Sequence, residues 1–109
     1  MWINKAQDAS GWDYVDSLNT ARGYGGDGPG TAALGGKLYA VGGISGTGGS
    51  STTLNTVEVY DPIDNSWDYV APMTVAKYGV GCAALGGKLY AVGGGPGSAS
   101  VIVGVYDPL

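Results

Sequence analysis

The sequence predicts an all-β fold made of small four-stranded antiparallel sheets repeated about every 50 residues. Three observations carry this expectation. The block Ala-Leu-Gly-Gly-Lys-Leu-Tyr-Ala-Val-Gly-Gly at 33–43 recurs unchanged at 84–94. Glycine pairs punctuate short apolar runs at the spacing of tight hairpins. No segment sustains a helical apolar period, and 22 glycines in 109 residues would each cost a helix about 1 kcal/mol.

The flanks of the block repeat as well, with other shifts. Trp12-Asp13-Tyr14-Val15 returns as Trp67-Asp68-Tyr69-Val70, a shift of 55, and Val57-Glu58-Val59-Tyr60-Asp61-Pro62 returns as Val103-Gly104-Val105-Tyr106-Asp107-Pro108, a shift of 46. The unequal shifts place four extra residues in 23–32 and five in 44–56 of the first unit. Strand segments keep their length and loops vary.

Taken in order, the first strand of each unit is small and apolar, Thr31–Leu34 and Gly79–Leu85, and ends at a Gly-Gly hairpin signal. The second, Lys37–Val41 and Lys88–Val92, is closed by the pairs Gly42-Gly43 and Gly93-Gly94, which suit close backbone approach or positive φ. The third, Thr56–Tyr60 and Val101–Tyr106, runs in the first unit into Asp61-Pro62-Ile63-Asp64-Asn65-Ser66, turn chemistry at nearly every position. A fourth strand opens at Trp67, and 44–56 reads as a loop.

Composition bounds the function. Gly and Pro make up about a quarter of the chain, yet 44% of residues are hydrophobic, the level of a packed domain. With no Phe, the core per residue is thin, and a stacked partner is expected to help. The net charge is −4, and Lys5, Arg22, Lys37, Lys77 and Lys88 are scattered singly, which argues against nucleic acid and membrane surfaces. No apolar run is long enough for a membrane span and no signal-peptide core is read at Met1–Asp8, so a cytoplasmic setting is expected.

Chemistry is sparse in the same way. There is no His, which removes the commonest general base, the usual triads and most zinc sites; no cofactor and no metal are expected. Cys82 has no partner for an internal disulfide and no basic neighbour in sequence, and it reads as structural. Asp61, Asp64 and Asp107 fit side-chain to backbone turn bonds, whereas Glu58 points either outward or between sheets. Gly23-Tyr24-Gly25-Gly26-Asp27-Gly28 fits a dinucleotide-binding spacing but lacks the strand before it and the helix after it that such a site requires.

Gly-Gly after an apolar strand, then a Tyr, then a Trp six intervening residues on (Tyr60 to Trp67), with Arg22 or Lys77 opening the next unit, resembles the kelch repeat over nearly the whole chain. The resemblance implies a β-propeller of four-stranded blades packed radially around a channel, with Trp12, Tyr60, Trp67 and Tyr106 filling the space between blades. The expected layout is an orphan outer strand at 10–18, a first blade at 22–70 and a second blade at 77–109 without its outer strand. Two blades cannot close a ring. One expectation is head-to-tail assembly by strand exchange, the orphan strand of each chain completing the last blade of another, as a homotrimer of six blades or, second, a tetramer. The competing expectation is a piece of a longer kelch protein.

Binding is expected on the variable loops, and the resemblance puts those after the second and fourth strands on one face around the channel mouth. These hold Ser45 and Thr47 in 44–56, Ser98 in 95–100, and Arg22, Tyr24, Lys77 and Tyr78 in 16–24 and 71–78. In kelch relatives that grip acidic peptides, Arg residues near the positions of Arg22 and Lys77 contact the ligand; the alternative is that both cations bond to loop carbonyls. The expected function is a non-catalytic module binding a protein or peptide, with a carbohydrate-active enzyme on a kelch-like propeller as the other class.

Overall fold

A computed structural model of the chain describes residues 11–109. The reading of Met1–Asp8 and the expected start of the orphan strand at residue 10 lie outside the described residues. The first sheet holds β1 (Gly30–Leu34), β2 (Lys37–Val41), β5 (Val57–Asp61) and β6 (Ser66–Val70), in that spatial order and all antiparallel. The second holds β7 (Gly81–Leu85), β8 (Lys88–Val92) and β9 (Val103–Tyr106). Between β2 and β5 the chain inserts a separate hairpin, β3 (Ile44–Thr47) with β4 (Ser50–Thr53).

Seven of these strands follow the predicted segments, and the differences are local. The stretch 44–56 is half strand, because Gly48-Gly49, both at positive φ, supplies the same two-residue turn as Gly35-Gly36. Val101 does not open a strand; it closes a 3₁₀ turn at Gly97–Val101, so β9 begins at Val103. Residues 12–17 carry no strand in the single chain, and Trp12, expected between blades, is fully exposed.

Register decides where the core lies. Side chains alternate along each strand, so β2 and β5 send Tyr39, Val41, Val57 and Val59 to one face and Leu38, Ala40, Glu58 and Tyr60 to the other. In the second sheet Leu89, Ala91, Gly104 and Tyr106 share a face. Tyr39, Val41 and Val57 of the first sheet are buried together with Leu89 and Ala91 of the second and with Val80, which leads into β7, while Met73, Cys82 and Tyr106 pack against them. The core therefore sits between the two sheets, and the Tyr39 and Tyr106 rings meet across it at 6.0 Å between centroids. Neither sheet buries enough by itself; each serves as the other's apolar neighbour. Burial pushes the Tyr39 hydroxyl above its usual value, with Tyr106 adding to the shift.

The Gly42-Gly43 pair has a specific cause. Both residues adopt positive φ, and a Cβ at Gly42 would stand 2.3 Å from the Lys77 carbonyl oxygen, one at Gly43 2.3 Å from that of Arg22. The backbones of the segments that open the two blades converge here: Gly43 N–H donates to the Lys77 carbonyl (2.8 Å) and Ile44 N–H to that of Arg22 (3.1 Å). Only a residue without a side chain fits. Gly42→Ala is expected to lower the urea-derived stability by about 3 kcal/mol or more, combining strained φ with a clash. Gly28→Ala, at ordinary φ with open space around its Cβ, is expected to stay within about 0.5 kcal/mol of the parent. Equal losses in the two variants would refute this account of the pair.

Candidate functional site

The segment 16–22 crosses the outer face of the first blade and is stitched to it by hydrogen bonds. Asp16 N–H donates to Asn65 Oδ1 at 2.9 Å, Trp67 Nε1–H donates to the Asp16 carbonyl at 2.9 Å, and Asn19 Nδ2 donates to the Trp67 carbonyl at 3.0 Å. The hydroxyls of Thr20 and Tyr69 also bond. Trp67 stacks at a tilt on Tyr60, centroids 5.2 Å apart, and the Tyr60 hydroxyl donates to Asn65 Oδ1 at 2.9 Å. Burial raises the Tyr60 pKa, helped by the carboxylates of Asp16 and Asp61. Asn65 tolerates a φ of 51° because Asn is among the few side chains that visit the left-handed region.

At the centre of this stitch lies a buried ion pair. Glu58 points between the segment and the sheet, fully buried. Its Oε1 accepts from Asn19 N–H at 2.7 Å and its Oε2 from Thr20 N–H at 3.2 Å and Arg22 Nε at 2.9 Å. Arg22 Nη2 lies 2.9 Å from the same Oε2, while Nη1 donates to the carbonyls of Gly42 (3.1 Å) and Thr56 (2.8 Å). Sequence reasoning left Glu58 undecided. Its alternation with Tyr60 on β5, two residues away on the same face, was the signal that it turns inward.

The second blade reproduces the arrangement with two changes. Lys77 takes the place of Arg22, is 2% exposed, and donates from Nζ to the Ile102 carbonyl at 2.5 Å. Ile102 is the repeat counterpart of Thr56, so the cation keeps its carbonyl partner. Gly104 stands where Glu58 does in the first blade, and a cavity of about 350 Å³ opens there, bounded by the segment 71–75, Lys77, Leu89, Ile102 and Gly104–Tyr106. Cys82 is partly buried in the same core; burial pushes its thiol upward, partly offset by the Lys77 ammonium, which disfavours a nucleophilic thiolate.

The candidate binding residues fall into two groups. Arg22 and Lys77 are buried, with donors on loop carbonyls as the alternative reading had it, and neither cation faces solvent. Tyr24, in a 3₁₀ turn at Tyr24–Gly26, accepts at its hydroxyl from Gly49 N–H (2.9 Å) at the β3–β4 hairpin tip. The structure thereby gathers Tyr24, Ser45 and Thr47 around one hairpin. Tyr78 exchanges backbone hydrogen bonds with Gly95 (2.9 and 3.0 Å) and lays its ring where a Cβ of Gly95 would be, while Ser98 is exposed on the adjoining turn. Among the described residues, no group of three or more Cys, Asp or Glu side chains is placed to hold a metal ion, and no helix is long and apolar enough to cross a membrane.

Comparison with known proteins agrees with this architecture. The Kelch motif family model matches residues 26–74. The chain is 49% identical over 74 residues to the influenza virus NS1A-binding protein homolog of Mus musculus, covering 68% of this chain and 11% of that protein. It is 41% identical over 63 residues to Kelch-like protein 6 of Homo sapiens, covering 58% and 10%. The chain thus spans about a tenth of the length of these relatives. The solved structure of YjhT superposes with a TM-score of 0.63 at 26% identity, over 77% of this chain and 24% of that one. A four-stranded and a three-stranded sheet, each bounded by glycine pairs, the Tyr60–Trp67 stack and a core lying between sheets together with these matches show that the chain is built of kelch repeats of the β-propeller type.

Proposed function

We propose that the protein is a non-catalytic protein-interaction module in which kelch blades are completed between chains. The observation that carries the reading is the unpaired outer edge of β9 together with its sheet's exposed face. In the first blade β6 pairs with β5 along 66–70, but among the described residues nothing pairs with the corresponding edge of β9. Val92, Val103 and Val105 share one face of this sheet by register, and all three are more than half exposed. Trp12 and Tyr14, in the tetrapeptide that repeats the sequence of β6, are likewise exposed, at 103% and 89%. An unpaired apolar edge invites strand addition, and the Trp12–Val15 segment of a second copy has the side chains that pair with this edge in the first blade. Such heterologous contacts close into a ring when the rotation permits, a homotrimer of six blades being favoured and a tetramer second.

A partner protein or peptide would then dock on the rim, where the β3–β4 hairpin with Tyr24, Ser45 and Thr47 and the loop with Tyr78 and Ser98 lie on the rigid blades. One relative is named for binding a protein, influenza virus NS1A, which supports this class of partner. The cavity beside Lys77 is lined by no pair of carboxyl groups of the kind glycoside chemistry uses, which favours binding over a carbohydrate-active enzyme. A second reading, two blades of a longer propeller whose following residues pair with β9, is favoured by the length of the relatives.

Light scattering on the purified chain at about 100 μM discriminates these readings. Strand exchange predicts a mass of about 33 kDa for the trimer, against 10.9 kDa for one chain, and a fall to the monomer in Trp12→Ala/Tyr14→Ala. A parent that stays at the mass of one chain overturns the exchange and leaves the longer propeller.

A further inference from the structure

The repeat supplies its own template for a ligand site. By the shift of 55 that relates Trp12 to Trp67, Asn19, Thr20 and Arg22 correspond to Thr74, Val75 and Lys77. The shift of 46 relates Glu58 to Gly104. In the first blade the first three residues hold the Glu58 carboxylate by two backbone N–H groups and a guanidinium, at 2.7–3.2 Å. In the second blade the corresponding residues border one cavity and the carboxylate is absent, Gly104 standing in its place. Thr74, Val75, Lys77 and Gly104 all line the cavity of about 350 Å³. The N–H groups of Thr74 and Val75 donate to no acceptor among the described residues, and the only acceptor recorded for the buried Lys77 ammonium is the neutral Ile102 carbonyl. An ammonium has three donors, and a buried cation without a counter-charge is costly.

The geometry points to a binding site for a small aliphatic monocarboxylate at this position. Its carboxylate takes the place of the Glu58 carboxylate, accepting from Thr74 N–H, Val75 N–H and Lys77 Nζ. Its alkyl stem lies against the apolar wall of Val57, Met73, Leu89 and Ile102. The size follows from the template: beyond Cα the Glu58 side chain is a propionate unit, so propionate and butyrate are the matching probes. The inference does not depend on strand exchange, since every group in it belongs to one chain.

The test is a titration of the full chain with sodium propionate at constant ionic strength, balanced with sodium chloride, followed by amide NMR. Saturable shifts of the Thr74 and Val75 amides in the millimolar range are expected, with chloride alone giving none. Gly104→Glu is the informative variant, because a Cβ at Gly104 meets open space and its φ is ordinary. It is expected to fold, to reproduce the propionate-induced amide shifts without ligand, and to abolish the response to propionate. Gly104→Gln, of the same shape without the charge, is expected to leave the Lys77 ammonium uncompensated and to be less thermally stable than Gly104→Glu. Lys77→Met is expected to weaken binding at least tenfold. The proposal is overturned if the parent shows no saturable shift, if chloride reproduces it, or if Gly104→Glu responds to propionate as the parent does.

Discussion

The buried pair between Arg22 and Glu58 is the constraint on which the first blade depends. The faces of these small sheets are mostly apolar, while the segment that opens each blade must cross such a face carrying backbone N–H and C=O groups that need partners. Left unpaired, each such group costs about 1–3 kcal/mol. One carboxylate and one guanidinium meet most of them at once: Glu58 accepts from two amides and Arg22 donates to two carbonyls. The planar fork of Arg is suited to that divided duty, which a Lys ammonium meets less completely. The pair thereby fixes the crossing segment, and the crossing segment in turn receives the Trp67 indole N–H and covers Tyr60.

The glycines serve the same crossing from the other side. Gly42 and Gly43 let β2 end against the carbonyls of Lys77 and Arg22, so the segments opening two successive blades meet at one glycine pair. The second strand-end pair, Gly93-Gly94, is likewise at positive φ, and a Cβ at Gly94 would stand 2.8 Å from the Tyr78 carbonyl oxygen, so both repeats need glycine there while loop lengths drift. This arrangement also answers the thinness of the core. The apolar side chains are too few to cover both faces of any sheet, and the fold uses them between sheets, with Tyr39 facing Tyr106, leaving polar stitches to hold the remaining face. The second blade shows what happens when one partner of the stitch is a glycine: the cation keeps its carbonyl, and a cavity replaces the carboxylate.

Strand positions were legible because they rest on local rules, Gly pairs at hairpins and alternation between them. The family was legible from the spacing of Gly-Gly, Tyr60 and Trp67. The β3–β4 hairpin was missed although Gly48-Gly49 carries the same turn signal; its strands are Ser- and Thr-rich and short of apolar residues, so the alternation that marks a strand was faint. The burial of Arg22, Lys77 and Glu58 was not legible from single positions, since a charged residue in a loop or on a short strand reads first as solvated. For Glu58 the signals lie in the pattern: it shares a face with Tyr60, and superposing the two repeats leaves Glu58 and Gly104 as the one difference in an otherwise matching strand.

The most direct test of this account is a double-mutant cycle on Arg22 and Glu58, with stability read from urea unfolding of Arg22→Met, Glu58→Gln and the double variant. Each single change strands a buried partner and is expected to cost about 3–5 kcal/mol. The double variant is expected to cost less than the sum of the two by about 2 kcal/mol or more. Single-variant losses below about 1 kcal/mol, or additivity within about 0.5 kcal/mol, would contradict the claim that this pair holds the blade together.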